Sequence, residues 1–101
     1  MAGWVPVSIW RPVPGAGQNL AISASSVAST AIDSGAQAIA VSAVGGNCHI
    51  ALGTAPVATG TDMLVKASDP PLILRISLLE KIAVIQNSTD TGTLNVVPMT
   101  R

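Results

Sequence analysis

The sequence predicts an all-β protein, a single antiparallel β-sandwich of the jelly-roll or Greek-key kind with an extended N-terminal arm. From Gln37 onward, short apolar runs alternate with turn signals at the roughly 8–12-residue spacing that is typical of sandwiches. Val, Ile and Leu supply 28 residues and Ala 15, with no Phe or Tyr, and this aliphatic composition favours strands. A chain of 101 residues has room for one domain with one modest core.

An extended arm is predicted over residues 1–19, and the sandwich domain over residues 20–101. Three prolines in the arm disfavour a helix or a central strand there: Pro6, Pro12 and Pro14. The next segment, LAISASSVASTAI at 20–32, has enough alanine for a helix, but the alternation of Leu20 and Ile22 favours a strand.

Six apolar runs are predicted as strands along the rest of the chain. They are QAIAVSAV (37–44), CHIALG (48–53), MLVKA (63–67), LILRISL (72–78), KIAVIQN (81–87) and TLNVVPM (93–99). A turn at Leu79–Glu80 is favoured over a helix through LRISLLEKIAVI, because Ile and Val are frequent there and two prolines closely precede it. The loop STDTG, with Asp90 and Gly92, suits a hairpin with a residue in the left-handed region.

The only cysteine and the only histidine are adjacent, at Cys48 and His49. A thiol beside an imidazole raises the question of a catalytic dyad or of two metal ligands. On a strand, successive side chains point to opposite faces, so Cys48 would join Ile50 and Leu52 while His49 would face the other way. We therefore expect a buried thiol and a surface or interface histidine, unless a bulge at 45–47 turns one of them around.

Other site signatures have simple structural interpretations. GAGQNL begins like a dinucleotide-binding fingerprint, but Leu20 stands in place of its third glycine and no βαβ pattern surrounds it. Asp62 and Asp69 occur where turns favour aspartate, and one histidine with one cysteine on the other face supplies no metal cluster. We expect no catalytic residues, no cofactor and no metal, so the protein is predicted not to be an enzyme.

Charged side chains are scarce along the chain. Only 10% of residues are Asp, Glu, Lys or Arg, against roughly 25% for a typical soluble domain. Between Arg11 and Asp62 the only formal charge is Asp33, and the net charge is zero. A domain with such a surface is expected to associate. We therefore predict that copies of the chain or a larger assembly cover much of this surface.

Composition also argues against several classes of partner and location. Five scattered basic residues and a net charge of zero give no electrostatic footprint for nucleic acid. No apolar run approaches the roughly 18 residues of a membrane-spanning helix, and the first residues lack the basic region of a secretory signal. A single cysteine cannot form an internal disulfide, which fits synthesis in a reducing cytoplasm.

Four residues are predicted to contact partners: Trp4, Trp10, Arg11 and Arg75. The two tryptophans are the only aromatic residues, and on an extended arm positions six apart face the same side. Tryptophan and arginine are favoured at interfaces, while the alternative is that the indoles fold back and cap the sandwich. Arg75 faces away from the apolar row of its strand, either as a snorkelling surface arginine or as an interface ion-pair donor.

The segments CHIALGTAPVAT, KIAVIQNS and GTLNVVPM resemble small β-sandwich proteins encoded among the virion genes of tailed bacteriophages. The likeness lies in a short strand running into a small-residue loop, a second strand behind one lysine, and a closing strand near residue 99. It covers roughly residues 37–99 and carries over no binding residues. The resemblance implies a virion component, with capsid cement or decoration as the first choice.

The expected function is therefore that of a capsid-binding structural protein, a homo-oligomer made in the host cytoplasm and located in the virion. Its expected partners are the major capsid protein and copies of itself, with no nucleic acid and no membrane. The alternatives are a head–tail adaptor, a tail or fibre component, and a host- or glycan-binding β-sandwich module. Copy number separates a cement protein from an adaptor, because cement coats the whole shell whereas an adaptor forms a single ring.

Overall fold

Two antiparallel β-sheets make up the protein, in a computed structural model that describes residues 9–32 and 35–101. The predicted all-β antiparallel sandwich is confirmed, and the described residues contain no helix. Their strands are β1 (Arg11–Pro12), β2 (Gln18–Ile22), β3 (Val27–Ala28), β4 (Ala38–Val44), β5 (Cys48–Gly53), β6 (Met63–Val65), β7 (Leu72–Arg75), β8 (Lys81–Gln86) and β9 (Gly92–Thr100).

Both sheets are built mostly by pairing distant segments of the chain. The five-stranded sheet has the order β1-β9-β4-β7, and β2 pairs with β9 beside β1. The four-stranded sheet has the order β3-β8-β5-β6. The longest register joins β4 to β9, from Ala38 opposite Met99 to Val44 opposite Thr93. Among the described strands, β7 therefore forms one edge of the larger sheet.

The core lies between the two sheets and is lined by alternate residues of the central strands. In β4, Ile39 and Val41 are fully buried, whereas Ala40 between them is only half-buried. The fully buried side chains of the other strands include Cys48, Ile82, Val84, Leu94 and Val96. Burial of each large aliphatic side chain contributes roughly 1.5–3 kcal/mol. These rows therefore fix which face of each strand turns inward.

Most connections cross from one sheet to the other, and this corrects the hairpin predicted at STDTG. Strand β8 lies in the four-stranded sheet and β9 in the five-stranded sheet. The left-handed residue of this loop is Ser88, with a φ of 57°, and the Asp90 N–H donates to the Asn87 carbonyl. Turn residues identify the loop, but they do not determine which sheet the next strand joins, because both kinds of connection use the same turn chemistry.

The described part of the predicted arm, residues 9–19, is built into the five-stranded sheet. Strands β1 and β2 both pair with β9, and β2 begins at Gln18, so position 19 falls within a strand. Residues 20–32 contain the end of β2 and all of β3 rather than a helix, in agreement with their alternation. Residues 1–8, which include Trp4, lie outside the described part of the chain.

Pro98 shows how a proline fits inside a central strand. It is fully buried in β9, where a missing N–H would normally interrupt the ladder. Its carbonyl accepts a hydrogen bond from the Val13 N–H at 2.9 Å, and in an antiparallel strand the N–H and C=O positions of one residue point to the same side. The proline nitrogen therefore faces residues 13–17, the connection between β1 and β2, where no ladder partner requires a donor.

Candidate functional site

The thiol of Cys48 belongs to the core. Cys48 is fully buried on the inner face of β5, together with Ile50, whereas Leu52 at the end of that row is 37% exposed. Burial disfavours the thiolate and raises the pKa of the Cys48 thiol from 9.0 to about 11. An enclosed, neutral thiol is a poor nucleophile, so the geometry does not support the first member of a catalytic dyad.

His49 lies on the opposite face of β5 and ties two loops to the sheet. Its Nδ1 is 2.9 Å from the carbonyl oxygen of Asp62, and its Nε2 is 3.1 Å from Oδ1 of Asn87. Because the Asp62 carbonyl oxygen only accepts, Nδ1 donates to it, and Nε2 then accepts from the Asn87 side-chain amide with the oxygen and nitrogen of that amide interchanged. Both ring nitrogens are thus engaged by loop atoms, and the imidazole serves as a structural cross-link.

The four acidic side chains of the described residues close turns and loops. Each accepts a hydrogen bond from a backbone N–H: Asp62 from Thr59 (2.7 Å), Asp69 from Lys66 (3.3 Å), Glu80 from Ser77 (2.7 Å) and Asp90 from Asn47 (3.1 Å). The turn role predicted for Asp62 and Asp69 is confirmed. Within residues 9–32 and 35–101, no group of three or more His, Cys, Asp or Glu side chains could hold a metal ion.

A groove of about 630 Å³ opens on the outer face of the five-stranded sheet, at the end where β4 begins and β9 ends. We call it the arginine groove; its lining includes Trp10, Gln37, Ala38, Ile73, Arg75 and Arg101. The Cζ of Arg101 lies 5.7 Å from the centre of the Trp10 ring, a distance at which the cation is attracted to the indole face. The groove therefore combines one aromatic ring with two guanidinium groups.

The structure brings two of the four predicted interface residues together. Trp10, which precedes β1, and Arg75 of β7 line the same groove from opposite edges of the sheet. Arg11 is exposed in β1 and lies, by the alternation of the strand, on the face opposite to Trp10, and Trp4 is outside the described residues. Arg101 was not predicted, because it reaches the groove only through the pairing of β1 with the end of β9.

The turn between β7 and β8 presents two leucines to solvent, and we call residues 77–80 the leucine turn. Leu78 is 71% exposed and Leu79 is 74% exposed. The Glu80 N–H donates to the Ser77 carbonyl at 3.1 Å, and Leu79 has a φ of 68°. This left-handed conformation costs a side chain such as leucine roughly 1–2 kcal/mol. The position of the turn was predicted, but its exposure and strain were not.

No helix among the described residues is both long and apolar enough to cross a membrane. Comparison of the chain with protein-family models, with curated proteins and with solved structures finds no match. The arginine groove and the leucine turn are therefore interpreted from their own geometry and chemistry.

Proposed function

We propose that the protein is a non-enzymatic structural protein of a bacteriophage virion, which binds the capsid and stabilises it as a cement or decoration protein. The observation that carries the proposal is the leucine turn. A chain that holds two adjacent leucines in water, one of them in a strained conformation, indicates a role for them beyond its own folding. If a partner covered both side chains, each would contribute roughly 1.5–3 kcal/mol to the contact.

The rest of the surface also supports a covered working state. Large apolar side chains are exposed at several other positions, among them Ile9 (66%), Val44 (59%), Val57 (70%) and Met63 (49%). Charged residues make up only 10% of the chain and the net charge is zero, so the surface has little electrostatic protection against association. Capsid subunits and neighbouring copies of the chain would cover such a surface in the assembled particle.

A structural role agrees with the way the reactive side chains are used. Among the described residues, the thiol lies in the core, the imidazole holds two loops, and the four carboxylates close turns and loops. The resemblance of residues 37–99 to small β-sandwich proteins of tailed-phage virions supports the class of partner, namely the major capsid protein. The protein would then be made in the host cytoplasm and reside in the virion.

Co-sedimentation with capsids tests the proposal. Empty capsids are assembled from the major capsid protein encoded in the same genome, mixed with the purified chain and sedimented, and the bound copies are counted by quantitative mass spectrometry. We expect saturation at a fixed ratio to the capsid subunits and a higher temperature of capsid disruption. Absence of binding, or a single ring of copies at one vertex, would overturn the proposal.

A matched pair of variants asks whether the leucine turn makes the contact. Leu78→Ser combined with Leu79→Asn removes both apolar side chains, and asparagine tolerates the left-handed conformation. We expect capsid affinity to fall at least about tenfold while the unfolding temperature stays the same or rises. The control is Ser68→Ala, at an exposed polar site that is not part of the proposed contact, which should bind as the wild type does. Equal binding by the leucine variant would remove the observation on which the proposal rests.

A further inference from the structure

We infer that the arginine groove and the outer edge of β7 together form a docking site for an extended, acidic polypeptide segment of a partner protein. The segment would add to the five-stranded sheet as a further strand beside β7 and place a carboxylate on Arg75 at the border of the groove. The inference deepens the proposed function by giving the chemistry of the partner segment, and it rests on that function only for the identity of the partner.

Strand β7 offers main-chain groups on its outer side. Among the described strands it pairs only with β4. The Ile76 N–H donates to the Gln37 carbonyl at 3.2 Å, so these two opposite residues form a hydrogen-bonded pair. Bonded and non-bonded pairs alternate in an antiparallel ladder. Leu74 therefore also turns its N–H and C=O toward β4, whereas those of Ile73 and Arg75 point outward. These outward groups match the spacing that an added strand requires.

The groove beside this edge carries two guanidinium groups that pair with no acidic side chain of the described residues. Arg75 is exposed on the outer face of β7, and Arg101 lies over the Trp10 ring across the groove. The four described acidic side chains accept hydrogen bonds from backbone N–H groups of turns and loops instead. A guanidinium presents paired N–H donors that match a carboxylate, so the charge complementary to this groove is acidic.

The size and lining of the groove fit a peptide better than a small anion. Its volume of about 630 Å³ is enough for several side chains, and Trp10 and Ile73 supply apolar lining. Opposite residues on adjacent strands have Cβ atoms about 4.5–5.5 Å apart. A Glu or Asp opposite Arg75 in an added strand therefore lies within reach of its guanidinium. Two arginines are too few to follow the phosphates of a nucleic acid.

Titration with a peptide, followed by NMR, tests the inference. The probe is a seven-residue peptide with blocked ends and alternating threonine and glutamate, added to the ¹⁵N-labelled full chain. We expect saturable shifts at the amides of Ile73 and Arg75 and at the Trp10 indole N–H. The same peptide with glutamine for glutamate should bind at least about tenfold more weakly. Equal binding of the two peptides, or shifts confined to other strands, would overturn the inference.

Variants separate the charge contribution from the main-chain contribution. Arg75→Gln should weaken peptide binding by roughly three- to tenfold. Arg101→Gln should weaken it less, because Arg101 follows β9, two strands further from the added strand, and Arg11→Gln, outside the groove lining, should leave it unchanged. Ile73→Pro removes an outward N–H without touching a bond to β4 and should abolish binding. If Ile73→Pro unfolds the chain, two peptides test the same bonds from the ligand side, one N-methylated at the odd residues and one at the even residues. Undiminished binding of both peptides would contradict strand addition.

Two further probes distinguish the alternatives. Tighter binding of short polyphosphate or of a single-stranded oligonucleotide at the same residues would make the groove a phosphate site and overturn the inference. Failure of the acidic peptide while the chain still co-sediments with capsids would refute the docking site and leave the proposed function standing. Peptide binding without capsid binding would support the docking site and remove the proposed function.

Discussion

Gly92, the first residue of β9, lies so close to Val44, the last residue of β4, that a Cβ on Gly92 would overlap the Val44 carbonyl oxygen. The same Cβ would lie 2.9 Å from the backbone nitrogen of Gly46 and 3.1 Å from the carbonyl carbon of Gly45. The loop from β8 into β9 therefore packs directly on the turn that leads from β4 to β5. Glycine at position 92 is what allows these two crossings between the sheets to lie side by side.

Replacing Gly92 by alanine is expected to destabilise the protein by about 2–4 kcal/mol, because the overlapping atoms are backbone atoms and cannot turn aside. Chemical denaturation measures the effect. Gly53→Ala is the matched control, since a Cβ there meets nothing within 4 Å, and it should change the unfolding free energy by no more than about 0.5 kcal/mol. Equal effects of the two substitutions would show that the close backbone contact at Gly92 does not restrict the residue type at that position.

Ser29 extends the pairing of β3 with β8 through its side chain. Its N–H donates to the Ile82 carbonyl at 2.7 Å, and its Oγ accepts from the Ile82 N–H at 3.1 Å. Ser29→Ala leaves that buried N–H without its acceptor and is expected to cost about 1–3 kcal/mol. Amide hydrogen exchange should quicken at Ile82, while Ser68→Ala, at an exposed site, leaves both stability and exchange unchanged. Slow exchange at Ile82 in the Ser29 variant would contradict this prediction.

Burial of the Cys48 thiol predicts a loss of stability at alkaline pH. The pKa is about 11 in the folded chain against an ordinary 9.0, so between these values the folded state holds a proton that the unfolded state releases. The stabilising contribution is complete below pH 9 and is lost as the pH rises through 11. The unfolding free energy of the wild type minus that of Cys48→Ala should therefore fall over this range. A difference that stays constant from pH 8 to 11 would contradict the enclosed position of the thiol.

The cross-link made by His49 is expected to be structural and measurable as a coupling energy. His49→Ala and Asn87→Ala each remove the contact between the β5 imidazole and the loop after β8. A double-mutant cycle should give a coupling of about 0.5–1.5 kcal/mol. Capsid binding by the His49 variant should match that of the wild type once both are folded, and a binding defect in the folded variant would assign the histidine a direct role.

The inward and outward faces of the strands could be predicted from the sequence, because burial of one face makes apolar and polar residues alternate along each strand. The inward row of β5 and the outward position of Arg75 on β7 both follow from alternation alone. The order of the strands could not be predicted in the same way. Pairing of β1 and β2 with β9 joins the two ends of the described chain, and no local pattern specifies a partner that is about 80 residues distant.

The candidate site was only partly predictable for the same reason. Trp10 and Arg75 are predicted as interface residues from their types and positions, but their meeting in one groove depends on the order of the strands. In the sequence nothing marks Arg101 as part of a site, and only the pairing of β1 with β9 places it beside the Trp10 indole. The left-handed conformation of Leu79 was missed because the turn lacks the glycine or asparagine that normally marks such a position.

The absence of that glycine leads to a prediction that separates folding from binding at the leucine turn. Leu79→Gly relieves the left-handed strain and removes a side chain that is 74% exposed, so we expect the unfolding free energy to rise by about 0.5–1 kcal/mol after the entropy cost of glycine. Thermal and urea unfolding measure this change. Capsid affinity should fall in the same variant, because the exposed leucine is the proposed contact.

Ser88→Gly provides the comparison, since Ser88 is the other non-glycine residue with a positive φ among the described residues, at 57°, and it carries no large apolar side chain. It should gain a similar stability with no loss of capsid affinity. A substitution that stabilises the fold while weakening the contact shows that the native leucine is kept for binding, as expected when function opposes stability at one position. A loss of stability in Leu79→Gly would mean instead that the leucine supports the fold, and the interpretation of the turn as a binding element would be wrong.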